Sequence, residues 1–184
     1  MKILSYRFVG AESSETLTKI HEECFPRYWD RNAFTDFFAV KNTFAVLVEE
    51  ICDNFVIPAQ AWILSPENNK DSRLRGNDNR GDGARKTPVG MMVYRIAFDQ
   101  ADLLTVAVRS AFRKAGIAKK LVADSMSHCA ELGAKKLFLE VEVGNDPAIK
   151  LYETQGFKHI SRRKLYYKQL DGSLTDALVM SKKL

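Results

Sequence analysis

The chain has 184 residues, of which 46% are hydrophobic and 28% charged, and this balance predicts one globular domain large enough to bury a core. No apolar run approaches the roughly 20 residues of a membrane-spanning helix, and the N-terminus lacks the apolar core of a signal peptide, so we expect a cytoplasmic protein without a membrane partner. The net charge of +5 favours an anionic partner, but the basic residues are spread along the chain, which argues against direct binding of nucleic acid.

The first part of the chain predicts a strand followed by two helices. Residues 3–9 alternate between apolar and polar side chains, as a strand at the edge of a core does. Ser13 or Ser14 is a candidate cap for a helix whose apolar residues recur about one turn apart. Pro26 cannot continue that helix, so we expect a loop around it and a second helix over residues 32–40.

Two predicted strands, at 43–50 and 89–98, flank a stretch of different composition. Residues 67–83 contain one aliphatic side chain, Leu74, which is too little apolar surface to offset the entropy lost on ordering. We therefore predict a flexible insertion at about residues 53–87 within a single domain. The amino-acid sequence of this stretch resembles translated palindromic repeats that are found in bacterial genes, and such repeats need have no function. The alternative is a partner-binding arm that uses Phe55, Ile57, Trp62 and Leu64.

A strand, a turn of small residues and a helix follow one another from residue 103 onward. LLTVAV at 103–108 is strand-like, and RKAGIA at 113–118 leads into a helical pattern that ends near Gly133. Gly116 has no Cβ, and the first N–H groups of a helix have no partners within it, so a phosphate can approach the backbone there. The helix dipole adds positive charge at the same place, and together these features predict a pyrophosphate cradle. Tight packing of the small residues is the alternative, since neither GxxxxGKS/T nor GxGxxG is present.

The last third of the chain predicts the remainder of a mixed sheet. Residues 135–143 form a strand whose alternation places Glu140 and Glu142 on one face. A helix then begins at Asn145 or Asp146 and is followed by two strands that form a terminal hairpin. Strands that alternate with helices and end in a hairpin are typical of an α/β protein with a mixed sheet.

Cysteine and histidine residues give no sign of a cross-linked or metal-bound protein. The three cysteines are scattered and include no CxxC pair. His21 and Cys24 lie one helical turn apart, but no second pair completes a four-ligand set. We expect neither a disulfide framework nor a metal site.

Motifs in the second half of the chain are similar to those of one family. RKAGIA fits the R/Q-x-x-G-x-G/A pattern with which GNAT-family N-acetyltransferases hold the pyrophosphate of acetyl-CoA. The stretches at 138–157, 162–167 and 171–184 resemble the RimI type of that family, the protein N-terminal alanine acetyltransferases. The resemblance implies a GNAT acyl-CoA N-acyltransferase fold, acetyl-CoA as co-substrate, and the N-terminal alanine of a small-subunit ribosomal protein as acceptor.

The resemblance also implies which residues contact acetyl-CoA. The pantetheine arm would bind the strand backbone at Val106, Ala107 and Val108, and Asn145 would contact the same arm. The pyrophosphate would bind the turn formed by Arg113, Lys114, Ala115, Gly116, Ile117, Ala118 and Lys119. One departure is that Arg109 and Ser110 stand where the family usually has Asp-Pro or His-Pro.

Acetyl transfer to an amine requires a base for the acceptor and an acid for the departing thiolate. By resemblance, Glu140 is the base and Tyr152 is the acid. The residues alone leave alternatives open, because Glu142 lies on the same predicted face and Tyr152 has the helical spacing of a core tyrosine. The resemblance also implies acceptor contacts at Phe25, Tyr28, Trp29, Tyr166 and Tyr167. For Phe25, Tyr28 and Trp29, a place in the core is the alternative.

Two other functions remain open at this point. One is a small-amine acetyltransferase on the same fold, and the other is a non-catalytic acyl-CoA-binding protein. No cysteine lies where a covalent acetyl-enzyme would need one, so we expect direct transfer within a ternary complex.

Overall fold

The computed structural model describes residues 3–52 and 85–184, which form a seven-stranded sheet and four α-helices. In chain order these elements are β1 (Ile3–Val9), α1 (Ser14–Cys24), α2 (Arg31–Ala39), β2 (Thr43–Cys52), β3 (Arg85–Ala97), β4 (Gln100–Val108), α3 (Ile117–Glu131), β5 (Lys136–Glu142), α4 (Asp146–Thr154), β6 (Lys158–Lys168) and β7 (Leu174–Lys183). The sequence predicts an insertion at about residues 53–87. Residues 53–84 lie outside the described residues, and residues 85–87 begin β3. In the described part, the helices are too short or too polar to cross a bilayer.

The strand order is β1-β2-β3-β4-β5-β7-β6, and the sheet is mixed as predicted. Neighbouring strands are antiparallel except β4 and β5, which are parallel. The sheet is covered on both faces, because β3 buries successive residues on opposite sides. Met91 and Val93 pack with α1 and α2, whereas Met92 and Tyr94 pack with α3.

The parallel pair β4 and β5 separates after four residues. Their pairing runs from Gln100 opposite Lys136 to Leu103 opposite Leu139 and stops there. The pairing of β4 with β3 contains a bulge at Leu104. Leu103 pairs with Tyr94 and Thr105 with Val93, so Leu104 is an extra residue without a partner on β3. A bulge bends its strand and increases its twist, so β4 continues alongside β3 while β5 continues alongside β7. A gap therefore opens between the two strands in the middle of the sheet.

An aromatic cluster around His21 fixes the α1–α2 loop, residues 25–30, beside this gap. His21 is 3% exposed, and its Nδ1 accepts a hydrogen bond from the backbone N–H of Trp29 at 3.1 Å. The imidazole stacks on Trp29, with ring centroids 4.9 Å apart, and lies 4.2 Å from the ring of Phe25. Asp30 caps α2 by accepting from the N–H of Ala33 at 2.8 Å. Both ends of the loop are thus held by specific contacts. Ser13 occupies the N-cap position of α1, but its side chain makes no capping bond.

The buried His21 makes stability depend on pH. Burial lowers the pKa of His21 from 6.5 to about 4. Below pH 6.5 the unfolded chain takes up a proton on His21 that the folded chain does not. The contribution of neutral His21 to the free energy of unfolding is therefore fully present above pH 6.5, and it is lost as the pH decreases towards 4. The shift corresponds to a loss of about 3 kcal/mol over that window. We expect His21→Gln to lack this part of the pH dependence in urea denaturation at pH 7 and pH 4.

The matched control is His159→Gln, because His159 is exposed on β6. It should retain the full difference in unfolding free energy between the two pH values. An unchanged difference in the His21 variant would show that the imidazole does not titrate as described.

Candidate active site

A cavity of about 300 Å³ occupies the gap between β4 and β5. Its walls are the α1–α2 loop, the separating ends of the two strands, the beginning of α4 and the end of β6. The cavity brings together residues that lie far apart in the sequence and that the sequence singled out: Phe25, Trp29, Val106, Glu140, Asn145, Tyr152 and Tyr167. Tyr28, also singled out, is 46% exposed and does not line it.

The β4 segment 104–108 presents a free edge towards the cavity. Val106, Ala107 and Val108 pair with β3 on one side, whereas the pairing with β5 has already ended at Leu103. Backbone groups on an edge of this kind can bind an extended chain as an added strand would. The edge leads from the cavity to the turn before α3.

That turn is an open cradle of backbone N–H groups. Lys114 has φ +63° and Gly116 has φ +78°, and α3 begins at the next residue. Left-handed residues of this kind turn successive N–H groups towards one concave side, where an anion can bind. Within the described residues, no backbone or side-chain acceptor contacts the N–H groups from residue 114 to residue 119. These groups, together with the N-terminal end of α3, fit a phosphate.

The structure distinguishes the residues of the cradle. Arg113, Lys114 and Lys119 are exposed, whereas Ile117 is 2% exposed, so its side chain belongs to the core and only its N–H faces the turn. A Cβ added at Gly116 would meet no atom within 4 Å. Glycine is therefore favoured by the positive φ of this position and not by a lack of space.

Arg109, which stands where the family usually has Asp or His, has a specific partner in the structure. Its guanidinium donates a hydrogen bond to Glu23 at 2.9 Å, near the end of α1. Arg113 Nε donates to the carbonyl of Val108 at 3.1 Å. These contacts anchor the turn to both α1 and β4.

Glu140 and Glu142, which look equivalent in the sequence, have different partners. Glu140 forms an ion pair with Arg163 at 3.0 Å, and its carboxylate side chain is 25% exposed. Glu142 accepts hydrogen bonds from the Gln169 side-chain amide and from Thr175 Oγ1, the latter at 2.5 Å. The β6–β7 hairpin therefore holds Glu142 in place through two hydrogen bonds, while Glu140 is paired with Arg163 of β6.

Three tyrosines lie around Glu140. Tyr152 is 8% exposed, and burial raises its pKa to about 12. The Tyr167 hydroxyl donates to the backbone carbonyl of Glu140 at 3.4 Å; burial, followed by the charge of Glu140, raises the pKa of Tyr167 to about 12. A hydrogen bond to Glu140, followed by burial, raises the pKa of Tyr166. All three phenols stay protonated at neutral pH and can donate protons or hydrogen bonds.

Several residues of the site were not singled out in the sequence. His21, Arg163, Gln169 and Thr175 contact the cavity or its carboxylates through side-chain interactions that no motif spacing indicates. The one sequence feature that could have indicated Arg163 was the pair of arginines at 162 and 163, shortly before Tyr166. Among the residues at 3–52 and 85–184, no three His, Cys, Asp or Glu side chains come together as a metal-binding group.

Comparison with known proteins identifies the family. The model of the acetyltransferase (GNAT) family matches residues 14–157, which is well over half of the chain. Over 93 residues, the chain is 37% identical to the ribosomal protein bS18-alanine N-acetyltransferase of Haemophilus ducreyi, and the match covers 50% of this chain and 64% of that protein. The enzyme of the same name from Escherichia coli K12 is 32% identical over 89 residues, which cover 48% of this chain and 60% of that protein.

Solved structures show the same fold. The crystal structure of the ribosomal-protein-S18-alanine N-acetyltransferase from Escherichia coli superposes with a TM-score of 0.73 at 18% identity, and covers 98% of this chain and 94% of that one. Arabidopsis thaliana NAA60 in complex with acetyl-CoA gives a TM-score of 0.70 at 18% identity, with 99% of each chain covered. The predicted GNAT acyl-CoA N-acyltransferase fold is confirmed. The chain belongs to the acetyltransferase (GNAT) family.

Proposed function

We propose that this chain is an N-acetyltransferase that moves the acetyl group of acetyl-CoA to a protein N-terminal amine, namely the N-terminal alanine of the ribosomal protein bS18. The observation that carries the proposal is the continuity of the site. A cavity lined by a carboxylate and buried phenols adjoins the free edge of β4, and this edge leads to the open phosphate cradle. The names of the two bacterial relatives support the choice of acceptor, and a ribosomal acceptor supports a cytoplasmic location.

The residues of the cradle fit the pyrophosphate of acetyl-CoA. The N–H groups from Lys114 to Lys119 would bind the phosphate oxygens, and the exposed Arg113, Lys114 and Lys119 side chains would neutralise their charge. The free edge at Val106 to Val108 would bind the amide groups of the pantetheine arm. Asn145 is the N-cap of α4, where its side chain accepts from the N–H of Ala148 at 3.4 Å, and its side-chain amide N–H groups remain for the arm.

Glu140 and Tyr152 supply the proton transfers. Acetyl-CoA provides the acetyl group as a thioester, whose C–S bond breaks as the C–N bond to the acceptor forms. Glu140 takes the proton that the acceptor amine loses, directly or through water. Tyr152 gives its proton to the departing sulfur, and its raised pKa keeps that proton available throughout the neutral range.

The rim of the cavity favours a peptide over a small amine. Exposed apolar side chains lie at or next to residues that line the cavity: Leu170 lines it, Tyr28 adjoins Trp29, and Tyr166 adjoins Tyr167. Apolar groups exposed around a polar cavity suit an acceptor that extends beyond the reacting amine.

The acceptor class can be tested with short peptides that differ in their first residue, together with spermidine and other small amines. We expect thiol release from acetyl-CoA to be fastest with peptides that begin with alanine, and to disappear when the same peptide is acetylated beforehand. Turnover with small amines alone would assign the chain to small-amine acetyltransferases. Acetyl-CoA binding without turnover on any amine would make it a non-catalytic binding protein.

The cradle can be tested at Gly116. Valine rarely adopts a positive φ, so we expect Gly116→Val to distort the turn and to raise the Kd for acetyl-CoA about tenfold or more in isothermal titration calorimetry. Gly172→Val is the matched control, because Gly172 has φ +86°, is equally unobstructed and lies in the β6–β7 turn. Equal affinity in both variants would place the pyrophosphate elsewhere.

The assignment of the base can be tested by comparing the two glutamates. We expect Glu140→Gln to lower kcat about 100-fold with the Kd for acetyl-CoA unchanged, because an amide cannot accept the proton. Glu142→Gln should retain most of the turnover, because its remaining carbonyl can still accept from Thr175. Equal losses of kcat in the two variants would contradict the different roles.

A further inference from the structure

Strand β6 contains a bulge next to the candidate base, in which three residues lie opposite one residue of β7. Arg163 pairs with Ala177 of β7, and Tyr167 pairs with Thr175, so Lys164, Leu165 and Tyr166 lie opposite Asp176 alone. Leu165 has φ +53°, and its side chain is 63% exposed. A leucine seldom adopts this conformation in a strand, and it persists only where surrounding contacts hold it.

Asp176 provides those contacts. Its Oδ1 accepts a hydrogen bond from the backbone N–H of Leu165 at 2.8 Å, and its Oδ2 accepts one from Arg162 Nε at 2.6 Å. Its backbone carbonyl accepts from the N–H of Val143 at 2.9 Å, just beyond the end of β5. The bond from Leu165 lowers the pKa of Asp176, so the side chain is ionised at neutral pH. One residue thus fills the bulge in β6 and connects it to the strand that carries Glu140.

The bulge changes which face of β6 meets Glu140. Residues 163 and 166 are three apart, so regular alternation would direct them to opposite faces of the sheet. In the structure, Arg163 forms an ion pair with the Glu140 carboxylate at 3.0 Å, and the ring of Tyr166 lies 5.3 Å from the guanidinium of the same Arg163. Tyr167, the adjacent residue, reaches the backbone carbonyl of Glu140 as well. The extra residues of the bulge make this convergence possible.

We propose that Asp176 is a positioning residue for Glu140: its carboxylate holds the β6 bulge in the form that brings Arg163 and Tyr166 to the candidate base. The inference rests on the proposed function, since Glu140 is a base only if the chain transfers an acetyl group. Asp176 itself touches none of the reacting groups.

The ion pair between Asp176 and Arg162 does not account for this role. The Arg162 side chain is 53% exposed, and ion pairs with exposed partners contribute little to a fixed geometry. The bond to the Leu165 N–H is different, because a strand backbone in a left-handed conformation has no ladder partner to replace it.

Asp176→Ala removes both contacts, whereas Asp176→Asn removes the charge and leaves only a weaker, neutral acceptor for the Leu165 N–H. We expect kcat with the alanine-first peptide to fall about 10- to 100-fold in Asp176→Ala, and about threefold or more in Asp176→Asn, with the Kd for acetyl-CoA within twofold of the unsubstituted chain. Asp171→Ala is the matched control, because Asp171 accepts its hydrogen bonds from Ser173 within the β6–β7 turn, and it should retain kcat. If Asp176→Ala does not fold, Asp176→Asn decides the question. A kcat within twofold of the unsubstituted chain in the folded Asp176 variants, or a loss of acetyl-CoA affinity in parallel with kcat, would overturn the proposal.

Rescue provides a second test with a result that general destabilisation would not produce. Glycine adopts positive φ without strain, so Leu165→Gly should allow the bulge to persist with less support. We expect Asp176→Ala combined with Leu165→Gly to recover at least about tenfold of the lost kcat. A double variant as slow as Asp176→Ala would overturn the role assigned to Leu165 and Asp176.

A third measurement does not depend on turnover. The hydrogen bond with Glu140 is the first cause of the raised pKa of Tyr166, so its loss should return that pKa towards the ordinary value of about 10. Absorbance titration of Asp176→Asn, with Tyr166→Phe to assign the signal, reports this change. An unchanged Tyr166 pKa would overturn the proposal even if no acceptor is found. A shifted pKa in a chain without turnover would instead overturn only the proposed function.

Discussion

The separation of β4 from β5 is the constraint on which the rest of the structure depends. Two parallel strands that stayed paired would close the middle of the sheet with backbone hydrogen bonds. Here the pairing ends at Leu103 and Leu139, and the bulge at Leu104 directs β4 away. The gap frees one edge of β4 and exposes the inner face of β5, so a single departure from regular pairing creates both the binding edge and the cavity.

The walls of the cavity are fixed by polar groups that sit among apolar ones. On one side, His21 accepts a hydrogen bond from a backbone N–H of the α1–α2 loop, stacks on Trp29 and contacts the ring of Phe25. On the other side, Glu142 is bound by Gln169 and Thr175 of the hairpin. Buried or half-buried polar groups are stable only when their hydrogen bonds are satisfied, so each of these contacts favours one arrangement of its loop. A site with rigid walls keeps the candidate base and acid at constant positions, which proton transfer requires.

Charge differs between the cradle and the cavity. In the part of the chain that the structure describes, the cradle carries exposed cationic side chains and N–H groups without acceptors. The cavity contains two carboxylates, and each is matched by donors from the hairpin. The phenols that line it, Tyr152 and Tyr167, are neutral, because burial raises their pKa to about 12. An anionic group would therefore be attracted to the cradle and an amine to the cavity.

The sequence by itself determined most of the local structure. Hydrophobic alternation and caps located β1, β5, α4 and the terminal hairpin to within a few residues, because these signals depend on neighbours along the chain. The spacing around Gly116 indicated the cradle for the same reason. The roles of Glu140 and Tyr152 stay predictions. Tertiary structure alone decided how Glu140 differs from Glu142, since their partners lie on β6 and β7 and approach from more than 20 residues away. It also decided that Arg163 and Tyr166 share a face, because the bulge at Leu165 breaks the alternation from which faces are read. Local patterns specify which elements form, but only the packed sheet determines which side chains meet across it.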